Sequence, residues 1–267
     1  MVKAGATVAS RMMASRTMAS RTTASRAAGS RADARGPAGR MPAVPQRTQL
    51  NGVRVGVRYV TADRTAKVGG DWYLSVGLPS GDVMLAVGDV MGHGRVAAAT
   101  MMRLRAAMSA LALAGDEPSA ILSSLNDMLC RRRTTMMATA VCGRYQPQTR
   151  KLTWARAGHL PILRAGRDGI GPLRQPGGMA LGVDPSASYG QASTQLYPGE
   201  LLFMYTDGVV EGRDHAIDDG VRAFAEGVRT ALRTSAPAER LRAALDHTRR
   251  SNPDDDACVL GALVTAR

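Results

Sequence analysis

At 267 residues with 45% hydrophobic content, the chain is long enough to bury the core of one large domain. Three cysteines, an odd number with no CxxC spacing, argue against a disulfide framework or a zinc site, and reduced thiols in the cytoplasm are the expectation. The formal net charge is +13, but residues 1–50 hold nine basic residues and one acid, so the body is not marked as a nucleic-acid binder.

Residues 1–47 are of low complexity. Ser-Arg pairs recur at Ser10-Arg11, Ser15-Arg16, Ser20-Arg21, Ser25-Arg26 and Ser30-Arg31. A five-residue step turns a helix by about 140° net, which spreads the arginines around it and argues against an amphipathic membrane helix. No apolar core of a secretory signal follows the start. The expectation is a disordered tail with a Pro-containing linker over residues 36–45, able to attract nucleic acid weakly. A domain over residues 48–267 follows. No run of 18–20 apolar residues is evident along the chain, so no membrane association is expected.

Order is expected from near Val53, where Val53, Val55, Val57 and Tyr59 alternate with Arg54, Gly56 and Arg58. A hairpin comes next: a strand containing Val76, a turn at Pro79-Ser80-Gly81-Asp82, and an apolar strand over residues 83–87. Residues 95–113 are rich in Ala, Met, Leu and Arg, with no internal Gly or Pro, and read as a helix. A second helix opens at Asp116-Glu117-Pro118, with Asp116 as its cap and acids in its first turn. Strands are expected over residues 137–145, 151–157, 160–163, 193–197, 201–205 and 257–264, and helices over 219–232 and 238–249. The fold class is α+β, rich in antiparallel sheet.

Four strand-like segments each carry an aspartate at one end. Asp71 enters the first strand of the hairpin and Asp89 leaves the second, ends that lie together in an antiparallel pair. Asp207 follows the apolar run 201–205, and Asp254-Asp255-Asp256 precedes the last strand. Adjacent carboxylates repel unless a proton or cation sits between them. Oxygen donors without a Cys or His cluster suit Mg²⁺ or Mn²⁺. Glycines at 69, 70, 88, 92 and 94 leave room for close backbone approach.

The motifs VGGDWY (68–73), GDVMGHG (88–94), LNDML (125–129), AGHLP (157–161), PGELLFMYTDGVVEGR (198–213) and DDACVL (255–260) stand in order along the body. Together they resemble the PPM (type 2C) metal-dependent protein serine/threonine phosphatases, in the SpoIIE/RsbU-like bacterial branch. The resemblance implies an αββα sandwich of two mainly antiparallel sheets flanked by helix pairs. It implies two metal ions, Mn²⁺ or Mg²⁺. Asp89 then bridges them beside the Val90 carbonyl, Asp207 and Asp255 are further ligands of one metal, and Asp71 helps to hold the other. Asp71 and Asp89 thereby organise the water that attacks the phosphomonoester.

His93 and His159 are candidates for protonating the leaving oxygen, although the resemblance treats both motifs chiefly as loop structure. Leu74 departs from the family pattern, which has a second aspartate there. It motivates the alternative of a non-catalytic pseudophosphatase, whereas the four retained aspartates favour an enzyme. The resemblance also suggests a phosphorylated STAS-type anti-anti-sigma protein as substrate, in stress-response sigma-factor regulation, and a separate activator.

Overall fold

A computed structural model describes residues 46–62, 69–131, 136–212, 216–236, 238–248, 252 and 254–266. The tail expected over residues 1–47 lies outside them except for its last two positions; Val68, Arg213, His215 and Arg249 lie outside as well.

In chain order the elements are β1 (Gln46–Leu50), β2 (Val53–Val60), β3 (Asp71–Gly77), β4 (Val83–Val90), α1 (Gly94–Ala114) and α2 (Pro118–Arg131). There follow β5 (Ala138–Gln146), β6 (Lys151–Ala157), β7 (Ile162–Gly166), β8 (Gly169–Leu173), β9 (Gln191–Gln195) and β10 (Leu201–Tyr205). A 3-10 turn (Asp207–Val209), α3 (Ile217–Thr234), α4 (Arg240–His247) and β11 (Ala257–Val264) complete the chain. The strands pair antiparallel in two sheets, ordered β1-β2-β11-β10-β7-β8 and β3-β4-β5-β6-β9. Helices α1 and α2 cover the outer face of the five-stranded sheet, and α3 and α4 that of the six-stranded sheet. The expected αββα sandwich is the fold.

Period-two side-chain alternation gives each central strand two apolar faces, one for the partner sheet and one for a helix pair. In β4, Val83, Leu85 and Val87 enter the layer between the sheets, while Met84, Ala86 and Val90 meet the α1–α2 side. In β10, Leu202 and Met204 point inward, while Leu201, Phe203 and Tyr205 pack towards α3 and α4. Phe224 of α3 lies edge-on to Phe203 and Tyr205, with ring centroids 5.6 and 5.1 Å apart.

Several local expectations are corrected. Strand β1 forms ahead of Val53, where order was expected to begin, with its first two residues in the expected tail, and it pairs with β2. Strand β8 is an element that the sequence reading did not include; its Pro172 is tolerated because β8 is the outermost strand of its sheet. Helix α2 begins at Pro118 with no acid in its first turn. Asp116 is therefore not its cap; Glu117 stands just before it and pairs instead with Arg144 of β5 at 2.9 Å. Among the described residues α1 is long and apolar enough, by length and composition, to cross a membrane, against the expectation that no segment reaches that length. Its buried residues Ala97, Met101, Leu104, Met108 and Ala112 form the stripe with which it packs on the sandwich.

Candidate active site

The inward-facing rows of several strands change from apolar to polar at one end of the layer between the sheets. In β4, Val83, Leu85 and Val87 are succeeded by Asp89. In β5 the row that holds Tyr145 and Val141 reaches Thr139, and in β10 Leu202 and Met204 are followed by Thr206. Asp71 opens β3 on the same side. The register places Asp71 directly opposite Asp89, and Asp89 opposite Thr139. The convergence expected of an antiparallel hairpin is what the strands deliver.

Asp71 is buried. One of its oxygens, Oδ2, accepts a hydrogen bond from Thr206 Oγ1 at 2.7 Å. Burial, and then the neighbouring charges of Asp89 and Asp207, hold its carboxyl well above the usual range, against the lowering effect of Thr206. Asp207 starts the 3-10 turn, and its Oδ1 accepts from Gly208 N at 2.9 Å. Its carboxyl is also pushed well up, by burial and then by Asp89, Asp255 and Glu211. Glu211 shifts the same way, through burial and Asp255. Asp71, Asp89, Asp207 and Asp255 are thus linked through one local field. Such a group favours an added cation, which relieves the repulsion that would otherwise be met by protons.

The aspartates in the run 254–256 have different surroundings. Asp255 is exposed and faces the field of Asp207 and Glu211. Asp256 turns towards the start of β3, accepting from Ala62 N at 2.8 Å and Gly70 N at 2.7 Å. A Cβ on Gly69 would stand 1.7 Å from Asp256 Oδ2, so a larger residue there would displace this carboxylate.

The donor set fits a hard divalent cation. A Cβ on Gly70 would lie 2.6 Å from the Val90 carbonyl oxygen and 3.2 Å from Asp89 Oδ1, so two oxygens converge on the space that this glycine leaves open. The neighbouring side chains of the cluster are carboxylates. Among the described residues no three Asp, Glu, His or Cys side chains stand close enough to enclose an ion by themselves. Carboxylate and carbonyl oxygens of this kind suit a hard divalent cation better than zinc, which takes nitrogen and sulfur ligands.

The two candidate histidines separate clearly. His159 is buried, with Nδ1 2.7 Å from Thr139 Oγ1, and burial followed by the Arg156 charge pulls its pKa down to about 3. It is neutral at physiological pH and acts as a strut between the β6 exit and β5. His93 is exposed at the N-cap position of α1, where its side chain makes no cap hydrogen bond. Leu74 is buried in the core on the α1–α2 side of β3, whereas Asp71 faces the partner sheet. The departure from the family pattern therefore falls on the opposite face from Asp71.

Thr206, Asp256 and Glu211 were not assigned from sequence. Thr206 stands beside Asp207 in the YTDG motif, which was the available signal; its partner Asp71 lies 135 positions away.

A family model described as Stage II sporulation protein E (SpoIIE) matches residues 79–265. Phosphoserine phosphatase RsbU of Bacillus subtilis is 29% identical over 172 residues, which are 64% of this chain and 49% of that protein. The chain thus spans about half the length of this curated relative. Among solved structures, the RsbU and RsbW domains of Rv1364c from Mycobacterium tuberculosis superpose with a TM-score of 0.72 at 24% identity, covering 81% of this chain and 61% of that one. RsbX, crystallised in complex with magnesium, superposes with a TM-score of 0.64 at 16% identity, covering 83% of this chain and all (100%) of that one.

Proposed function

Since the chain belongs to the SpoIIE family, we propose that it is a divalent-metal-dependent phosphatase. Its substrate is a phosphoserine or phosphothreonine of a protein. The observation that carries this reading is the register pairing of Asp71 with Asp89 at the polar end of the sandwich, beside the oxygen-lined gap at Gly70. Asp89, the Val90 carbonyl, Asp207 and Asp255 would hold two Mn²⁺ or Mg²⁺ ions, with Asp71 helping to hold one of them. Bound divalent ions lower the pKa of water and neutralise charge on a phosphoryl group.

The chain's own contribution is positional. The β3–β4 ladder fixes Asp71 against Asp89, and the 3-10 turn presents Asp207 from the other sheet. Hydrolysis forms a bond from a water oxygen to phosphorus as the bond from phosphorus to the serine oxygen breaks, and the serine leaves protonated. Buried and neutral, His159 is not the source of that proton. Leu74 gives no support to a non-catalytic binding module, because it does not share a face with Asp71.

The favoured substrate is a phosphorylated STAS-type anti-anti-sigma protein, acting with a separate activator in stress-response regulation. The similarity to RsbU and the stressosome context of another similar structure support this choice. A cytoplasmic setting accords with the free thiols of Cys130, Cys142 and Cys258. The test is phosphate release from a phosphorylated STAS domain, followed by intact mass, beside an unrelated phosphoprotein. Release from the STAS protein alone supports the assignment; equal release from both, or from the unrelated protein only, removes it.

A further inference from the structure

Three successive residues at the start of β3 are each held by a different segment of the opposite sheet. Gly69 N donates to Tyr59 Oη of β2 at 3.1 Å. Gly70 N donates to Asp256 Oδ2, just ahead of β11, at 2.7 Å. Asp71 Oδ2 accepts from Thr206 Oγ1, just beyond β10, at 2.7 Å. The first two contacts fix backbone. The third fixes a carboxylate, and Thr206 is itself buried and fully engaged.

The hydroxyl of Thr206 has one proton to give and two acceptors within reach. Asp71 Oδ2 is at 2.7 Å and the Cys258 carbonyl at 3.5 Å, so the proton goes to Asp71. The hydroxyl oxygen in turn accepts from Cys258 N at 2.9 Å, which sets its rotamer. Backbone pairing between Thr206 N and Cys258 O, at 3.0 Å, anchors the same residue from its main chain. A short chain of hydrogen bonds therefore runs from β11 through Thr206 to one chosen oxygen of Asp71.

We propose that Thr206 is the positioning residue that commits Asp71 Oδ2 to the opposite sheet and leaves Oδ1 as the oxygen available to a divalent cation. This inference rests on the functional reading given above. It follows that the hydroxyl of Thr206, more than its bulk, sets metal affinity. Removing a hydrogen bond to a metal-site carboxylate characteristically weakens metal binding by about 10–100-fold. The carboxylate also loses a charge-assisted partner in a buried setting.

The test titrates the full chain and its Thr206→Val and Thr206→Ser variants with Mn²⁺, reading free Mn²⁺ by its electron paramagnetic resonance signal. Thermal unfolding of the metal-free proteins reports folding. Thr206→Val, close in shape but without the hydroxyl, is expected to need about 10–100-fold more Mn²⁺, while Thr206→Ser binds as the wild type does. Phosphopeptide hydrolysis by the valine variant should return at saturating Mn²⁺ with an unchanged KM. Where the valine variant is not folded, Thr206→Ala takes its place with the same expectation. Wild-type affinity in a folded valine or alanine variant overturns the proposal, and so does an equal loss in the serine variant. A wild-type chain that binds no Mn²⁺ is a different result: the metal-dependent reading itself then fails.

Discussion

Asp71 and Asp89 carry an unfavourable interaction before any ion arrives. Burial and the facing carboxylates hold the Asp71 carboxyl above its usual range. An acid raised in the folded state weakens folding at neutral pH, and that penalty fades as pH falls through the folded value. Asp89→Asn removes one of the repelling charges. The metal-free variant is expected to melt higher than wild type, by about 2–4 °C for each kcal/mol relieved, and to lose the rise in Tm that Mn²⁺ gives the wild type. Calorimetric scans with Mn²⁺ and with EDTA check both statements. His159 works in the opposite direction, because its pKa falls from 6.5 to about 3. Below 6.5 the unfolded chain takes up a proton that the folded chain does not, so stability falls with pH until about 3. His159→Gln removes this slope. The gap between the two stability curves should change by roughly 1.4 kcal/mol per pH unit below the usual histidine value, as measured by urea unfolding at several pH values.

Among the elements, the β3–β4 hairpin was the most legible in sequence. Alternating apolar positions, a four-residue turn cluster and an aspartate at each open end leave few registers that bury the core. Its weak point is Gly70, where a methyl group would meet the Val90 carbonyl at 2.6 Å. Gly70→Ala is expected to lower metal-dependent phosphate release by about 100-fold, as misplacement of a reacting centre does, in a protein whose circular dichroism is unchanged. The connection of α2 to the site was not legible. Asn126 accepts from Gly182 N at 2.8 Å and donates to the Asp184 carbonyl at 2.8 Å, which ties the helix to the loop that bridges Ala138 of β5 through Leu181. In sequence it is one polar residue within an apolar helical repeat, and its partners lie more than fifty positions away. Asn126→Ala strips two backbone groups of their partner and should cost about 1–3 kcal/mol, read as a lowered urea midpoint. Strand β8 was missed for a local reason: its glycines and proline carry turn propensity, and only pairing with β7 makes a strand of them.

At the scale of the molecule, the sandwich brings acids from three distant stretches to one end of the layer between its sheets. Sequence pointed to Asp71, Asp89, Asp207 and Asp255, each at the end of a strand-like run, but not to Glu211. It did not mark which oxygen is held and by whom. Thr206 and Asp256 act across the sheets, and their partners near the start of β3 are fixed only when both sheets have closed. The boundary drawn from composition can be tested at this scale as well. A chain beginning at Gln46, the first residue of β1, is expected to keep the Tm and phosphatase activity of the full chain. Any weak nucleic-acid binding that collapses with salt should disappear with the tail.

The measurement that bears most directly on the account is phosphate release from a phosphoserine peptide with Mn²⁺, with Mg²⁺ and with EDTA, in wild type and in a folded Asp89→Asn variant. The account predicts release that requires a metal, stops with EDTA and is lost in the variant. Release that persists in EDTA, or that the folded Asp89→Asn protein sustains at the wild-type rate, would contradict it.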